Sequence, residues 1–280
     1  DEATHLLSRA WSACAAPPVT AWDLATQATQ RTRESSRMAP LPSLHRAFGG
    51  LPALLEVAGP PGVGKTQFCL HAAALTAASG NEVFWLDTER SFSAQRLLEM
   101  LEYLHPGEAA MQALQRVRHK VCDSLQELQG NIAELCQSKA ALYGAMPALL
   151  VIDSVASVAR REGEISIPKR QAALSSLASS LKVLVAPNPG RPKVIPPSVV
   201  VTNQVMGNPG SNARVSLGHV WHHAVNWRLV LSHVPPGPNG LGSKEQADPF
   251  GRRYLMVEKS PSCATLILPF NISEQGLTEL

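Results

Sequence analysis

From residue 44 onward, short apolar runs alternate with longer stretches in which Ala, Leu, Gln and Lys recur at helical spacing. Runs at 54–58, 82–86, 117–121, 148–152 and 198–202 predict strands, and the stretches 66–79, 93–104, 124–143 and 169–185 predict the helices that cross over between them. Near-continuous apolar strands need cover on both faces. The expected fold class is therefore α/β: an open, doubly wound, mostly parallel twisted sheet with helices on both faces. Past residue 201 the helical pattern gives way to short runs at 227–233, 253–258 and 264–270, separated by turns rich in Pro and Gly. Those predict antiparallel strands added at the C-terminal edge. Ahead of the core, residues 1–37 hold a helical pattern at 5–15, then Pro17-Pro18, then a polar run, which predicts an N-terminal helical arm and linker before one large domain at 38–280.

A length of 280 residues suits one large α/β domain plus an arm better than two equal domains. Hydrophobic residues make up 45% and charged residues 17%, the composition of a folded chain, and no uninterrupted apolar stretch approaches the roughly 18 residues of a membrane span, so no membrane partner is expected. A net charge of +3 permits a nucleic-acid partner without arguing for one. Cys14, Cys69, Cys122, Cys136 and Cys263 show no paired spacing and follow no secretory signal, and so read as reduced intracellular thiols. The chain opens on Asp1 rather than an initiator Met, as a fragment of a longer protein would.

The first candidate chemistry is Gly59-Pro60-Pro61-Gly62-Val63-Gly64-Lys65-Thr66, which matches GxxxxGK[ST] and sits between a predicted strand and a predicted helix. Glycines let backbone N–H groups turn inward around phosphate oxygens, and the following helix presents its positive end. Lys65 is placed to reach the β and γ oxygens of ATP, and the Thr66 hydroxyl to ligate Mg²⁺. Four fixed positions arise by chance about once in a hundred chains of this length, so an accidental Gly-rich turn is the weaker explanation.

Three further apolar runs end in polar groups. The 148–152 run ends at Asp153, the form of a Walker B element; such an Asp is also the ordinary N-cap of the next helix, but beside a phosphate loop it reads as a Mg²⁺ holder. The next run, Val83-Phe84-Trp85-Leu86-Asp87-Thr88-Glu89, ends in carboxylates beside the phosphate site, where Glu89 either polarises the attacking water or is a solvated loop acid. The 198–202 run leads to Asn203-Gln204, where Gln204 either bonds the γ-phosphate or merely starts a turn. Trp221 with His222-His223 lies in an apolar helical stretch and reads as packing and capping. The Pro/Gly stretches at 187–197 and 235–242 read as surface insertions.

These elements, in this order, resemble the RecA-like recombinases of eukaryotes and their paralogues over roughly residues 5–280. Within that family the B paralogue is resembled most, through Gly-Pro-Pro-Gly-Val-Gly-Lys-Thr-Gln-Phe-Cys (59–69), Asp-Thr-Glu (87–89), Phe-Ser-Ala-Gln-Arg-Leu (92–97), Val-Cys-Asp-Ser-Leu (121–125) and Ile-Asp-Ser-Val-Ala-Ser-Val-Ala-Arg (152–160). Thr-Asn-Gln (202–204), Leu-Gly-His-Val-Trp (217–221) and Asn-Trp-Arg-Leu-Val-Leu (226–231) agree. The resemblance implies a RecA-like P-loop ATPase core at 38–280 that takes ATP and Mg²⁺, with Lys65, Glu89 and Gln204 catalytic, Glu89 as the catalytic carboxylate, Asp153 as the Walker B acid and Gln204 as the γ-phosphate sensor.

It also implies two DNA-facing loops, about 160–170 and 205–218, in which Arg160, Arg161, Lys169, Arg170 and Arg214 each neutralise a phosphate; a charge run by itself is more often only a solvated face. The chain departs from the pattern in its second loop, which is short and carries Pro209, Gly210 and a single base, so strand exchange by this chain alone is not implied. The family's helical N-terminal domain is largely absent. At Val19-Thr20-Ala21-Trp22, where a polymerisation anchor would lie, Pro18 stands in place of the usual aromatic, and an ordinary linker fits as well. Lys259-Ser260-Pro261 lies near the region that caps a neighbour's nucleotide in filaments, which implies an ATP site shared between subunits.

The function expected on this basis is a slow DNA-dependent ATPase subunit of a nuclear recombinase-paralogue complex, with single-stranded and double-stranded DNA and other paralogues, the C paralogue among them, as partners. It would assist homologous recombination and double-strand-break repair by promoting filament assembly on single-stranded DNA. The alternative is an ATP-binding scaffold with little turnover that docks partner paralogues. A P-loop kinase needs an Arg-rich lid and an acceptor pocket, and neither is legible.

Overall fold

The computed structural model describes residues 38–137, 146–161, 166–187, 195–206, 214–215, 217–233 and 252–280. The expected arm at 1–37, the 235–242 insertion and most of the 187–197 insertion lie outside the described residues, as do 207–213 of the second expected DNA loop. In chain order the elements are α1 (Pro42–Phe48), β1 (Leu54–Gly59), α2 (Lys65–Ala78), β2 (Val83–Asp87), α3 (Ala94–Leu104), α4 (Glu108–Leu114), β3 (Val117–Val121), α5 (Leu125–Cys136), β4 (Leu149–Asp153), α6 (Val155–Arg161), α7 (Ile167–Val185), β5 (Ser198–Met206), β6 (Arg214–Val215), α8 (Gly218–Ala224), β7 (Trp227–Ser232), β8 (Arg253–Lys259), β9 (Ile267–Ser273) and β10 (Gly276–Glu279).

One ten-stranded sheet runs β10-β9-β8-β7-β1-β5-β4-β2-β3, with β6 paired to β5. The six strands from β7 to β3 are parallel, and β8, β9 and β10 extend the sheet antiparallel. Strands β1, β2 and β4 are buried at every position, as apolar runs covered on both faces should be. On one face α2, α3 and α4 enclose a core built on Phe68, Leu70, Trp85, Leu97, Met100 and Phe270; on the other, α5, α7 and α8 enclose Leu128, Ile132, Leu174, Leu177, Leu181 and Trp221. Ser93 and Ser124 start α3 and α5 in the usual way, each accepting the backbone N–H three residues on. No described helix is long and apolar enough to cross a membrane.

The expected α/β class and antiparallel edge are both present, with three differences. Strand β7 pairs parallel to β1, because α8 carries the chain back to the same end of the sheet before β7 begins. The antiparallel edge therefore starts at β8. Four seven-residue helices, β6 and β10 join the expected set, and the 124–143 helix is described only as α5, with 138–145 outside the described residues.

Candidate functional site

Strand β1 ends at Gly59 and α2 begins at Lys65, so the phosphate-loop motif forms the connection between them. Gly59 has no room for a side chain: a Cβ there would lie 2.8 Å from the Leu231 carbonyl oxygen and from Val63. Gly64 takes φ +112, closed to other residues without strain, and its carbonyl accepts the N–H of Phe68 to open the helix. Lys65 Nζ turns back over the loop and donates to the carbonyls of Gly59 and Pro60, each at 2.9 Å. Burial lowers the Lys65 pKa, against the opposing pull of Asp153 and Glu89.

Asp153 ends β4 almost completely buried. Three hydroxyls converge on its carboxylate: Thr66 at 2.7 Å and Ser91 at 3.1 Å on Oδ2, and Thr202 at 2.5 Å on Oδ1. Burial holds its pKa above the ordinary carboxylate range despite those bonds, and the nearby Glu89 charge adds to the rise. Thr66 and Asp153, the two expected Mg²⁺ holders, are thus in direct contact.

Glu89 follows β2 on an exposed turn shaped by Asp87. Asp87 accepts the backbone N–H groups of Glu89, Ser91 and Phe92 and the Nε2 of His119. Burial pushes the Asp87 carboxyl up, but these bonds together outweigh it and hold the pKa low. Asp87 is therefore scaffold for the turn. Thr88 staples the ends of β2 and β4, exchanging hydrogen bonds with the Ser154 backbone at 2.7 Å. Glu89 Oε1 accepts from Ser154 Oγ at 2.7 Å and from Gln204 Nε2 at 3.4 Å.

The structure brings Lys65, Thr66, Glu89, Asp153 and Gln204 to one end of the sheet, at the carboxyl ends of the adjacent strands β1, β5, β4 and β2. It divides the five bases expected to face DNA. Arg160 and Arg161 end helix α6 instead of lying in a loop: Arg160 Nη1 donates to Gln204 Oε1, while Arg161 donates to the Thr88 carbonyl at 2.6 Å and lies 3.8 Å from Asp123. Lys169 and Arg170 lie in the first turn of α7. Arg214 is in β6, with its side chain outside the described residues.

Sequence reasoning passed over the two hydroxyls on Asp153 other than that of Thr66, those of Ser91 and Thr202, and the Ser154 hydroxyl on Glu89: none of the three carries a periodic or motif signal, although Thr202 and Ser154 adjoin residues that do. Trp221 is a packing residue as expected, buried with its Nε1 donating to Glu56 at 2.8 Å; His222 is exposed, with its Nδ1 2.8 Å from Arg228 Nη1. Lys259 donates to the carbonyls of His222 and Val225, capping the end of α8.

The family model described as Rad51 matches residues 48–280. The mouse protein "DNA repair protein RAD51 homolog 2" (Mus musculus) is 30% identical, over 99% of this chain and 83% of its own length. The mouse "DNA repair protein RAD51 homolog 4" is 32% identical over 74% of this chain and 60% of its own length. Among solved structures, the crystal structure of the RadB recombinase superposes with a TM-score of 0.63 at 25% identity, covering 87% of this chain and 99% of that one.

Proposed function

The chain belongs to the Rad51 family, and from that premise we propose that it is a DNA-dependent ATPase subunit of a recombinase-paralogue complex, which supports homologous recombination and double-strand-break repair by promoting recombinase filaments on single-stranded DNA. One observation carries the reading: Lys65, Thr66, Asp153, Glu89 and Gln204 converge at the carboxyl ends of four adjacent strands. Nucleotides bind at that edge of an open α/β sheet.

In this reading the phosphates of ATP replace the Gly59 and Pro60 carbonyls as partners of Lys65, and the partly buried ammonium meets them with little competing water. Thr66 and Asp153 would hold Mg²⁺, which would neutralise charge building on the transferring phosphate. A hydroxyl and a carboxylate in contact fit that hard cation, which takes its remaining ligands from phosphates and water. Among the described residues no group of three or more His, Cys, Asp or Glu is placed to hold a metal. Glu89, held at Oε1 by Ser154 and Gln204, takes the proton of the attacking water. Gln204 reads the γ-phosphate, and its loss on hydrolysis changes what Gln204 and Arg160 hold.

Arg160, Arg161, Lys169, Arg170 and Arg214 are the DNA-backbone contacts in this reading, on single and double strands. The relatives, named as DNA repair proteins, support the repair role; in this reading the chain acts in the nucleus with other paralogues, the C paralogue among them, as partners.

The test is steady-state ATP hydrolysis by the purified chain, with and without single-stranded DNA, beside Glu89→Gln and Lys65→Ala. The expected result is DNA-stimulated turnover that falls on the order of 100-fold in Glu89→Gln with nucleotide binding retained, and loss of nucleotide binding in Lys65→Ala. Binding without turnover under either condition would refute the ATPase reading and leave an ATP-holding scaffold that docks partner paralogues.

A further inference from the structure

Behind the nucleotide site lies a buried ionic cluster that the chemistry above does not use. Glu56, in the middle of β1, and Arg228, opposite it on β7, are both fully buried and form an ion pair. Isolating such a pair from water costs several kcal/mol per ion, and well-packed apolar residues would serve stability as well or better. The pair calls for a reason other than stability, and its neighbours supply one. Glu56 Oε1 accepts from Asn203 Nδ2 at 2.7 Å and from Trp221 Nε1 at 2.8 Å. Asn203 Oδ1 in turn accepts the backbone N–H of Gln204 at 2.7 Å.

We infer that Glu56 is a positioning residue for Gln204, acting through the Asn203 amide. A carboxylate next to an arginine only accepts hydrogen bonds, whereas an amide presents a donor on one side and an acceptor on the other. Between the Glu56 carboxylate and the Gln204 N–H, Asn203 turns Nδ2 toward Glu56 and Oδ1 toward the Gln204 N–H. That bond fixes the main chain at Gln204, whose side chain meets Arg160 through Oε1 and Glu89 through Nε2. The register places these groups together: Glu56 opposes Val201 on β5, so Asn203, two residues on, projects from the same face of the sheet. Glu56 is thus set three residues before Gly59, which begins the phosphate loop, and ties the geometry of Gln204 to the strand that carries that loop. A Gln at position 56 would offer a donor to Asn203, let its amide turn over, and take the acceptor away from the Gln204 N–H.

The inference rests on the reading of Gln204 as the γ-phosphate sensor, so its test measures γ-phosphate recognition without requiring turnover. Isothermal titration of the full chain with Mg²⁺ and either AMP-PNP or ADP gives the affinity ratio between the two nucleotides for wild type, Glu56→Gln, Asn203→Ala and Trp221→Phe. The expected result is a wild-type preference for AMP-PNP that shrinks about tenfold in Glu56→Gln and in Asn203→Ala, a change of about 1.4 kcal/mol, with ADP affinity within about twofold of wild type. Trp221→Phe, which removes a different hydrogen bond from the same Glu56 oxygen and keeps the aromatic packing, is expected to retain the preference. Because Glu56→Gln leaves Arg228 without its full counter-charge and is liable to unfold, Asn203→Ala decides the matter in that event, since it keeps the Glu56–Arg228 pair. An unchanged ratio in Asn203→Ala, or an equal loss in all three variants, overturns the inference while leaving the sensor reading in place. A wild type with no preference for AMP-PNP removes the sensor reading and the inference with it.

Discussion

Acid should weaken the attachment of the helix that carries the phosphate loop, and His71 sets the amount. His71 lies on α2 at 8% exposure, and its Nδ1 accepts the backbone N–H of Leu277 on β10 at 3.0 Å. A ring that accepts there is neutral, with its proton on Nε2. Gly276 packs so close that a Cβ would sit 2.8 Å from the ring. Burial, reinforced by the Arg96 guanidinium, lowers the His71 pKa from 6.5 to about 4. Above the unfolded value both states are neutral and His71 contributes nothing pH-dependent. As pH falls below about 6.5 the unfolded chain takes up the proton first, so stability is lost across the window from 6.5 down to about 4 and then levels off. At roughly 1.4 kcal/mol per pH unit the full loss is about 3 kcal/mol, of which about 2 kcal/mol has gone by pH 5. For a domain of this size that is a fall of about 4–8 °C in melting temperature. Carboxylates titrate over the same range, so the assay compares thermal unfolding of wild type and His71→Gln near pH 7.5 and pH 5; Gln keeps an acceptor and cannot take a proton. The wild type should lose about 2 kcal/mol more than the variant over that interval. Parallel losses in the two proteins would refute the argument.

Two substitutions probe the site itself. Gly59→Ala forces a Cβ to 2.8 Å from a backbone oxygen that cannot give way, so nucleotide affinity should fall at least about tenfold with a stability cost of about 1–3 kcal/mol, read by titration and melting; unchanged affinity in a folded variant would contradict the close approach. Thr202→Val deletes one of three hydroxyls on a buried carboxylate at nearly constant volume, and should cost about 1.5–3 kcal/mol and raise the Mg²⁺ concentration needed for ATP binding. A variant as stable as wild type, with the same Mg²⁺ requirement, would show that Thr202 merely accompanies Asp153.

The parts of this molecule that were legible in its sequence are those whose physics repeats along the chain. Four apolar runs became the parallel strands β1, β2, β4 and β5 because burial on both faces demands apolar stretches, whereas the 117–121 run is the edge strand β3, with Arg118, His119 and Lys120 exposed; α5 and α7 follow the spacing of Leu128, Ile132 and Leu135 and of Leu174, Leu177, Leu181 and Leu184. The helices α1, α4 and α6 have seven residues each, too few for a period of 3.6 to declare itself. Strand direction is not a local property at all. Trp227–Ser232 reads as a strand either way, and it is parallel because of the helix before it, a helix signalled by little more than an apolar stretch. At the site, Lys65, Glu89, Asp153 and Gln204 were found through motifs and strand ends, whereas Ser91, Ser154 and Thr202 are ordinary polar residues until the fold aims them at a carboxylate. Arg160 shows the same limit for charge: nothing in the sequence tells that its guanidinium bonds the Gln204 amide.

What turns these scattered residues into one site is the order of strands rather than the order of the chain. Strand β5 arrives late, yet inserts between β1 and β4, so Gln204 opposes Gly59 in register and Thr202 reaches Asp153 on the neighbouring strand. Strand β2 flanks β4 on its other side, with Asp87 opposite Asp153, and so delivers Glu89 to Ser154 and Gln204. Had β5 added outside β7, Asp153 and Gln204 would still be present and still match their motifs, but Thr202 would not reach Asp153 and Gln204 would not reach Glu89. The strand crossing is therefore what assembles the candidate site, and the residues that pin β5 against β1, Asn203 and Glu56 among them, shape that site as well as the core.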